Sequence, residues 1–310
     1  MAMSARLLGH RITLPDGRHI GFATWGAEDG EPVLALHGTP GSRLKFSVAH
    51  GFACELGLRI IAPDRWDFGL TSRPARLSLA AFADDMRALA DALRLERFSV
   101  IGFSGGGPYA AAVAARLGAR IPALALVSPV GPIAGTAAAG ALTAVHRLCF
   151  QGLPRVPLVL AAAFALLRRG LKLSPALGMR LAMLRTAPVD KACARDPWIR
   201  AGLVETFREG LAPGVGGCLI DLEIFSRPWD IRLEDVRAPA RLWLGTEDRN
   251  VPRSAVLMLA AGLPRSELVE LPGHGHLWVC REYPVVLAWI AEMLRGGAIR
   301  AASALSRAAE

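Results

Sequence analysis

The feature that most constrains this chain is a glycine-rich turn around a single serine. Residues 98–101 are typical of a short buried strand, and the alanine-rich residues 108–116 are typical of a helix. Between them, Gly102, Ser104 and Gly106 form the pattern Gly-x-Ser-x-Gly, which indicates a sharp turn from strand to helix. Such a turn strains the serine backbone, tolerates only small neighbours, and aims the helix N-terminus at the hydroxyl. This placement favours a nucleophilic role for Ser104.

Strand and helix patterns alternate along most of the chain. This predicts an α/β fold with a mostly parallel eight-stranded sheet and helices on both faces. Two short segments around a Pro-Asp-Gly turn predict an antiparallel hairpin at the start, and Ser78 is positioned to cap a helix. A closing helix is expected over residues 283–295. The predicted strands cover residues 11–14, 19–24, 33–36, 58–62, 98–101, 123–127, 240–244 and 267–271.

Strand patterns are absent between about residues 131 and 230, where Ala/Leu-rich helical patterns are broken by prolines. Because the sheet resumes afterwards, we interpret residues 131–230 as an inserted helical cap, or lid. The core is then formed by residues 1–130 and 231–310. The insertion follows the strand after the Ser104 turn, so we expect it to cover the carboxyl ends of the strands, where ligands bind in open α/β sheets.

Composition argues against several classes of protein. The net charge is +9, but the arginines are scattered, whereas a nucleic-acid-binding protein would cluster them. No apolar stretch is long enough for a bilayer span, and the N-terminus lacks a secretory apolar region, so we expect no stable membrane insertion. The five cysteines match no metal or redox spacing, which favours reduced thiols in a cytoplasmic protein. We therefore expect no nucleic-acid partner, no metal and no cofactor.

A serine hydroxyl becomes an effective nucleophile only when a base takes its proton and an acid orients that base. Asp248 is the candidate acid because it follows a predicted strand directly, and Glu247 is its alternative. His276 is the candidate base, in the loop after the last predicted strand, and His274 competes from two residues away. The chain order Ser, Asp, His, with each residue at a strand exit, favours Asp248 and His276.

Backbone N–H groups are expected to stabilise the oxyanion that forms during acyl transfer. Gly105 directly follows the nucleophile at the start of a helix, whose dipole favours negative charge. The second donor is expected from the loop at residues 37–42, His-Gly-Thr-Pro-Gly-Ser. Because Pro40 has no N–H, Thr39 is the predicted donor. Taken alone, this loop would be interpreted as an ordinary Gly/Pro turn before a helix.

Taken together, the motifs resemble those of the α/β-hydrolase fold superfamily, and within it the bacterial esterase-type members. The resemblance rests on four motifs in the expected order, each at a predicted strand exit: residues 37–42, 102–108, 245–252 and 275–277. One departure is visible. Relatives usually carry Asp-Arg-Pro-Gly-x-Gly after the fourth strand, whereas residues 64–72 here are Asp-Arg-Trp-Asp-Phe-Gly-Leu-Thr-Ser.

The resemblance implies a role in catalysis for five residues. These are the nucleophile Ser104, the acid Asp248, the base His276 and the oxyanion-hole amides of Thr39 and Gly105. No cofactor and no metal is expected, and the expected partner is a small-molecule ester substrate.

The expected function is cleavage of carboxylic esters through an acyl-enzyme on Ser104. The apolar cap favours a hydrophobic acyl or alcohol group. Two alternatives remain open. A proline iminopeptidase-type aminopeptidase would need cap carboxylates, such as Glu205 or Glu209, to hold a free amino group. A ligand-binding member of the same fold would bind its ligand without turnover.

Overall fold

The computed structural model describes residues 8–308, with side chains described through residue 296. Those residues form an eight-stranded sheet. Its strands are β1 (His10–Thr13), β2 (His19–Gly26), β3 (Glu31–Leu36), β4 (Leu58–Pro63), β5 (Ser99–Phe103), β6 (Leu124–Val127), β7 (Ala240–Gly245) and β8 (Ser266–Leu271).

The strand order across the sheet is β1-β2-β4-β3-β5-β6-β7-β8. Strand β2 is antiparallel to β1 and to β4, and the other neighbouring strands are parallel. The predicted hairpin, the eight strands and the mostly parallel sheet are therefore confirmed. Strand β5, which leads into Ser104, lies in the interior of the sheet between β3 and β6.

The helices are α1 (His50–Glu55), α2 (Leu79–Ala92), α3 (Gly107–Leu117), α4 (Ala144–Arg147), α5 (Pro157–Leu173), α6 (Pro175–Ala182), α7 (Pro188–Cys193), α8 (Pro197–Gly210), α9 (Gly216–Phe225), α10 (Arg253–Gly262) and α11 (Val279–Ala308).

Both faces of the sheet are buried, which explains the nearly unbroken apolar runs in its central strands. Alternate side chains of a strand point to opposite faces. Leu34 and Leu36 of β3 pack in one cluster with residues of α2, α3 and α10. Val33 and Ala35 of the same strand pack in a second cluster with residues of α1 and α11.

Two helix boundaries test the expectations from the sequence. The Ser78 hydroxyl accepts the backbone N–H of Ala81 at 3.0 Å, as predicted for the cap of α2. The closing helix α11 begins four residues earlier than expected and contains a non-helical residue, Glu282. Pro284 explains the non-helical residue, because it has no N–H to donate to the preceding turn of the helix.

The loops after β3, β5, β7 and β8 leave the carboxyl edge of the parallel part of the sheet. Helices α4 to α9 lie between β6 and β7, within the segment predicted to be the cap. The helical character of this segment agrees with the expectation. Its division from the core at residues 131 and 230 stays a prediction.

Among the described residues, no single helix is both long enough and apolar enough to cross a membrane. One pair, Ala144–Arg155 with Pro157–Leu173, meets both conditions only in combination, and its two members are bent by 111°.

Candidate active site

Ser104 occupies a strained turn at the end of β5. Its φ is +52°, in the left-handed region that residues with side chains rarely adopt. Two glycines make the turn possible. A Cβ on Gly102 would lie 2.6 Å from the Ala110 Cβ, and a Cβ on Gly106 would overlap the carbonyl oxygen of Leu36. The turn is therefore built as the sequence predicts, with the serine in the 3-10 turn that leads into α3.

Ser104, His276 and Asp248 form a continuous hydrogen-bonded chain. The His276 Nε2 lies 2.9 Å from the Ser104 Oγ, and its Nδ1 lies 2.7 Å from the Asp248 Oδ2. Because a carboxylate only accepts hydrogen bonds, Nδ1 carries the imidazole proton and Nε2 accepts from the serine hydroxyl. The imidazole and the carboxylate are both almost fully buried.

The alternative acid and base lie elsewhere. Glu247 is exposed, and its backbone N–H donates to the carbonyl of His274. The His274 ring contacts the Pro272 carbonyl through Nδ1 and the Glu282 carboxylate through Nε2. Of the two candidate pairs, the fold thus brings only Asp248 and His276 to Ser104.

The two predicted oxyanion donors lie beside the nucleophile. A Cβ on Gly38 would be 3.0 Å from the Ser104 Cβ, and a Cβ on Gly105 would overlap the Thr39 hydroxyl oxygen. Thr39 and Gly105 also line the same cavity as Ser104 and His276. This proximity is compatible with an oxyanion hole, and the roles of the two amides remain predictions.

Arg65 holds the loop that contains Thr39, and its side chain is fully buried. Its Nε donates to the His37 carbonyl at 2.9 Å, and its Nη2 donates to the Gly38 carbonyl at 3.0 Å and to the Thr39 hydroxyl at 3.1 Å. The remaining terminal nitrogen, Nη1, forms an ion pair with the buried carboxylate of Asp221.

Asp221 extends the same network into the cap segment. It belongs to α9, and it accepts hydrogen bonds from the Tyr109 hydroxyl of α3 and from the Thr39 hydroxyl. Burial, followed by the charge of Asp221, raises the pKa of Tyr109 well above its ordinary value, so the phenol stays a donor. A single buried carboxylate thus links the cap, the helix after the nucleophile and the predicted oxyanion loop.

His37 is buried in this network and is neutral. Burial, and then the charge of Arg65, holds the pKa of the imidazole well below its ordinary value. Its Nε2 accepts the Arg65 backbone N–H at 2.9 Å, so Nδ1 carries the proton and donates to the Gly38 carbonyl at 2.8 Å. His37 therefore shapes the loop and does not act as a second base.

A second buried carboxylate ties the cap segment to the loop of the candidate base. Asp190, at α7, accepts the backbone N–H of Leu277 at 2.8 Å. A Cβ on Gly275 would overlap the same carboxylate. The residues on both sides of His276 are thus packed against Asp190.

A cavity of about 460 Å³ lies over the candidate triad. The sheet side of the cavity presents Ser104, His276 and the loop around Thr39, whereas the cap side is mainly apolar. The apolar side chains include Phe150, Leu160, Phe164, Leu167, Leu181 and Phe207.

The charged side chains that line this cavity are cationic. Lys45 and Arg185 are among its lining residues. Within the described part of the chain, no Asp or Glu lines the cavity. The Lys45 ammonium is buried, donates to the Cys280 Sγ at 3.1 Å and lies 4.4 Å from the centre of the Phe103 ring.

The candidate carboxylates for an aminopeptidase, Glu205 and Glu209, are not among the residues that line this cavity. Glu209 pairs with Arg43 at 2.8 Å, and Glu205 lines a separate groove. Among the described residues, no group of three or more His, Cys, Asp or Glu side chains is placed so that it could hold a metal ion.

The model of the alpha/beta hydrolase fold family matches residues 31–279. The chain belongs to this family. As a family member it is 29% identical over 269 residues to the 2-hydroxymuconate semialdehyde hydrolase of Pseudomonas putida, a match that covers 85% of this chain and 86% of the relative. It is 36% identical over 124 residues to a non-heme chloroperoxidase of Streptomyces lividans, but it spans only 45% of that protein, and the match covers 39% of this chain.

Solved structures show the same fold. The bromoperoxidase of Bacillus anthracis superposes with a TM-score of 0.69 at 22% identity, covering 93% of this chain and 99% of that one. An alpha/beta hydrolase fold protein of Nakamurella multipartita superposes with a TM-score of 0.65 at 27% identity, with the same coverage.

The elbow of this alpha/beta hydrolase predicts an asymmetry between two glycines. Gly106→Ala should lower the free energy of unfolding by about 1–3 kcal/mol, because the new methyl group overlaps the backbone of β3. Gly51→Ala is the control, since Gly51 is exposed in α1 and its Cβ would meet no atom within 4 Å. Its unfolding free energy should stay within about 1 kcal/mol of the parent value. Equal effects of both substitutions in urea titrations would contradict this account of the turn.

The buried ion pair predicts a second asymmetry. Asp221→Asn leaves the Arg65 guanidinium buried without its carboxylate, which should cost about 3–5 kcal/mol of unfolding free energy. Asp84→Asn removes the carboxylate of the exposed ion pairs with Arg87 and Arg116, and should cost less than about 1 kcal/mol. Denaturant titration of the two variants measures the difference. A loss at Asp221 no larger than the loss at Asp84 would show that the network contributes little to stability.

Proposed function

We propose that this protein is a serine hydrolase that cleaves carboxylic esters with a hydrophobic acyl or alcohol group through an acyl-enzyme on Ser104. The observation that carries the proposal is the hydrogen-bonded chain from Asp248 through His276 to Ser104, next to an apolar cavity. The strained backbone of Ser104 is typical of a nucleophile elbow. The Pseudomonas relative is named as a hydrolase, which is consistent with a hydrolytic reaction.

In the acylation step, the Ser104 oxygen attacks the carbonyl carbon of the ester. Nε2 of His276 takes the serine proton as the bond forms, and the charge of Asp248 stabilises the resulting imidazolium. The carbonyl oxygen becomes an oxyanion, which the N–H groups of Thr39 and Gly105 stabilise. Each such donor contributes roughly 3–4 kcal/mol to a transition state of this kind.

The tetrahedral intermediate then collapses. His276 gives its proton to the leaving alcohol, and Ser104 remains as an ester of the acyl group. In deacylation, Nε2 takes a proton from a water molecule that attacks this acyl-enzyme. The carboxylic acid leaves, and the proton returns to the Ser104 oxygen.

The lining of the cavity favours an ester over the substrate of an aminopeptidase. A free amino group is cationic at neutral pH and needs a nearby carboxylate. The charged side chains at the described cavity wall are those of Lys45 and Arg185, and Glu209 is already paired with Arg43. The remaining surface is mostly apolar and complements a hydrocarbon chain.

The first test is the removal of the proposed nucleophile and base. Ser104→Ala and His276→Ala should each lower kcat for p-nitrophenyl butyrate by about 10⁴-fold or more while thermal unfolding stays cooperative. His274→Ala is the matched control, because this histidine lies two residues away and faces Glu282. Its kcat should stay within about threefold of the parent value, a change of under 1 kcal/mol in the barrier.

Retained turnover in the Ser104→Ala variant would contradict the proposal. A fluorophosphonate probe should label the parent protein and should fail to label that variant. Tight ligand binding without turnover and without labelling of the parent would favour the non-hydrolytic alternative.

The apolar cavity also predicts a dependence on chain length. Each methylene of the acyl chain that enters the cavity should raise kcat/KM by about fourfold, until the cavity is filled. A series of p-nitrophenyl esters from acetate to octanoate measures this, with proline p-nitroanilide as the aminopeptidase control. Values that fall from acetate onward, or faster cleavage of the anilide, would contradict the proposed substrate class.

A further inference from the structure

The outward face of α5 has an unusual composition. A helix at the surface of a globular protein normally directs polar residues to solvent. Here Leu158 is 85% exposed and Leu173 is 67% exposed, and Val159 and Leu166 are exposed between them. At 100° per residue these four side chains fall on one face of the helix. The exposed alanines Ala162 and Ala165 lie on the same face.

The segment that carries this apolar face contains basic residues and no acidic ones. No Asp or Glu occurs between Glu96 and Asp190, whereas residues 144–189 contain seven Lys or Arg. Within the described structure, none of these seven forms an ion pair with a carboxylate. Arg169 and Lys172 are exposed and stand on the apolar face itself, in the last two turns of α5.

The same face borders the opening of the cavity above Ser104. Leu166 is exposed on α5 and also lines that cavity. Leu184, which follows α6, is 70% exposed and lines it as well, and so does the exposed Arg185. The apolar, cationic surface and the cavity wall therefore share these three exposed side chains.

We propose that this protein docks on the surface of lipid bilayers that contain anionic lipids, through the cap apolar face. We define that face as Leu158, Val159, Leu166 and Leu173 of α5, together with Leu184. Its leucines enter the boundary between headgroups and acyl chains, and Arg169, Lys172 and their basic neighbours contact the anionic headgroups. The protein lies on the bilayer and does not span it.

Charge distinguishes a bilayer from the other possible occupants of this face. In a symmetric dimer through the cap apolar face, each set of unpaired cations would meet its own copy, which is repulsive. A nucleic acid would complement the charge but would leave the leucines without an apolar partner. An anionic bilayer offers both negative headgroups and hydrocarbon.

Docking in this position has a consequence for the substrate. The cavity mouth faces the bilayer, so an ester dissolved in lipid enters the cavity without crossing water. This consequence rests on the proposed ester hydrolysis, whereas docking itself needs no catalysis. Binding and turnover are therefore measured separately.

The binding test is flotation of the full chain with vesicles of phosphatidylcholine, with and without phosphatidylglycerol. The parent protein and its Ser104→Ala variant should float equally with the anionic vesicles. Binding should be at least about tenfold weaker on phosphatidylcholine alone, and weaker again at high salt.

Two variants test the face, and one control tests its specificity. Arg169→Glu/Lys172→Glu and Leu158→Ser/Leu173→Ser should each weaken binding to anionic vesicles by about tenfold or more. Arg11→Glu/Arg97→Glu makes the same change in net charge on exposed residues of the sheet domain, and should weaken binding by less than about threefold. All three should keep the parent's turnover of a water-soluble ester.

Three outcomes would overturn the proposal. One is the absence of flotation with anionic vesicles. Another is an equal loss in the control, which would mean attraction to the overall charge and not to this face. The third is a dimer in solution that the leucine substitutions dissociate, which would make a second copy the occupant. Flotation without ester turnover by the parent would leave docking intact and would contradict only the proposed function.

Discussion

The buried pair of Arg65 and Asp221 is the interaction on which the candidate site depends. Removing two charges from water is costly unless every donor and acceptor finds a partner. Here the guanidinium donates to two carbonyls of the loop after β3 and to the Thr39 hydroxyl, and the carboxylate accepts from Thr39 and Tyr109. The pair thereby joins the loops after β3 and β4 to α3 and α9. A cap that moved as a rigid lid would have to break this network, so the Asp221 end of the cap is tied to the loops beside Ser104.

Much of the candidate site follows from local chemistry and could be predicted from the sequence. Gly102 and Gly106 around Ser104 specify an elbow, and parallel strands bring their carboxyl ends to a common edge, so Asp248 and His276 could be assigned. The network around Arg65 could not, because its partner Asp221 is 156 residues away and no pattern relates them. The sequence around Asp221 does contain one indication of such a partner. Asp221 is a carboxylate within the otherwise apolar run Cys-Leu-Ile-Asp-Leu at residues 218–222, and a charge buried there needs a partner.

The cap was harder to predict than the sheet, for a physical reason. A strand in the middle of a parallel sheet is buried on both faces, so apolar runs there have one interpretation. An apolar helix has several, because it can face a core, a ligand or a lipid. The leucines of α5 illustrate this ambiguity, because they divide between two of these environments. Leu160 and Leu167 line the cavity, whereas Leu158 and Leu173 point away from the protein.

The overall charge of the chain gains meaning from the same helix. The arginines are scattered along the sequence, so their positions alone do not assign the net charge of +9 to one surface of the protein. The acidic residues are not scattered, since none occurs from residue 97 to residue 189. Residues 144–189 therefore carry a net charge of +7, out of +9 for the whole chain. The same segment contains Leu158, the most exposed leucine on the chain's described surface. A region that lacks counter-charges can concentrate positive potential without any cluster of basic residues, and a count of basic residues alone does not detect it.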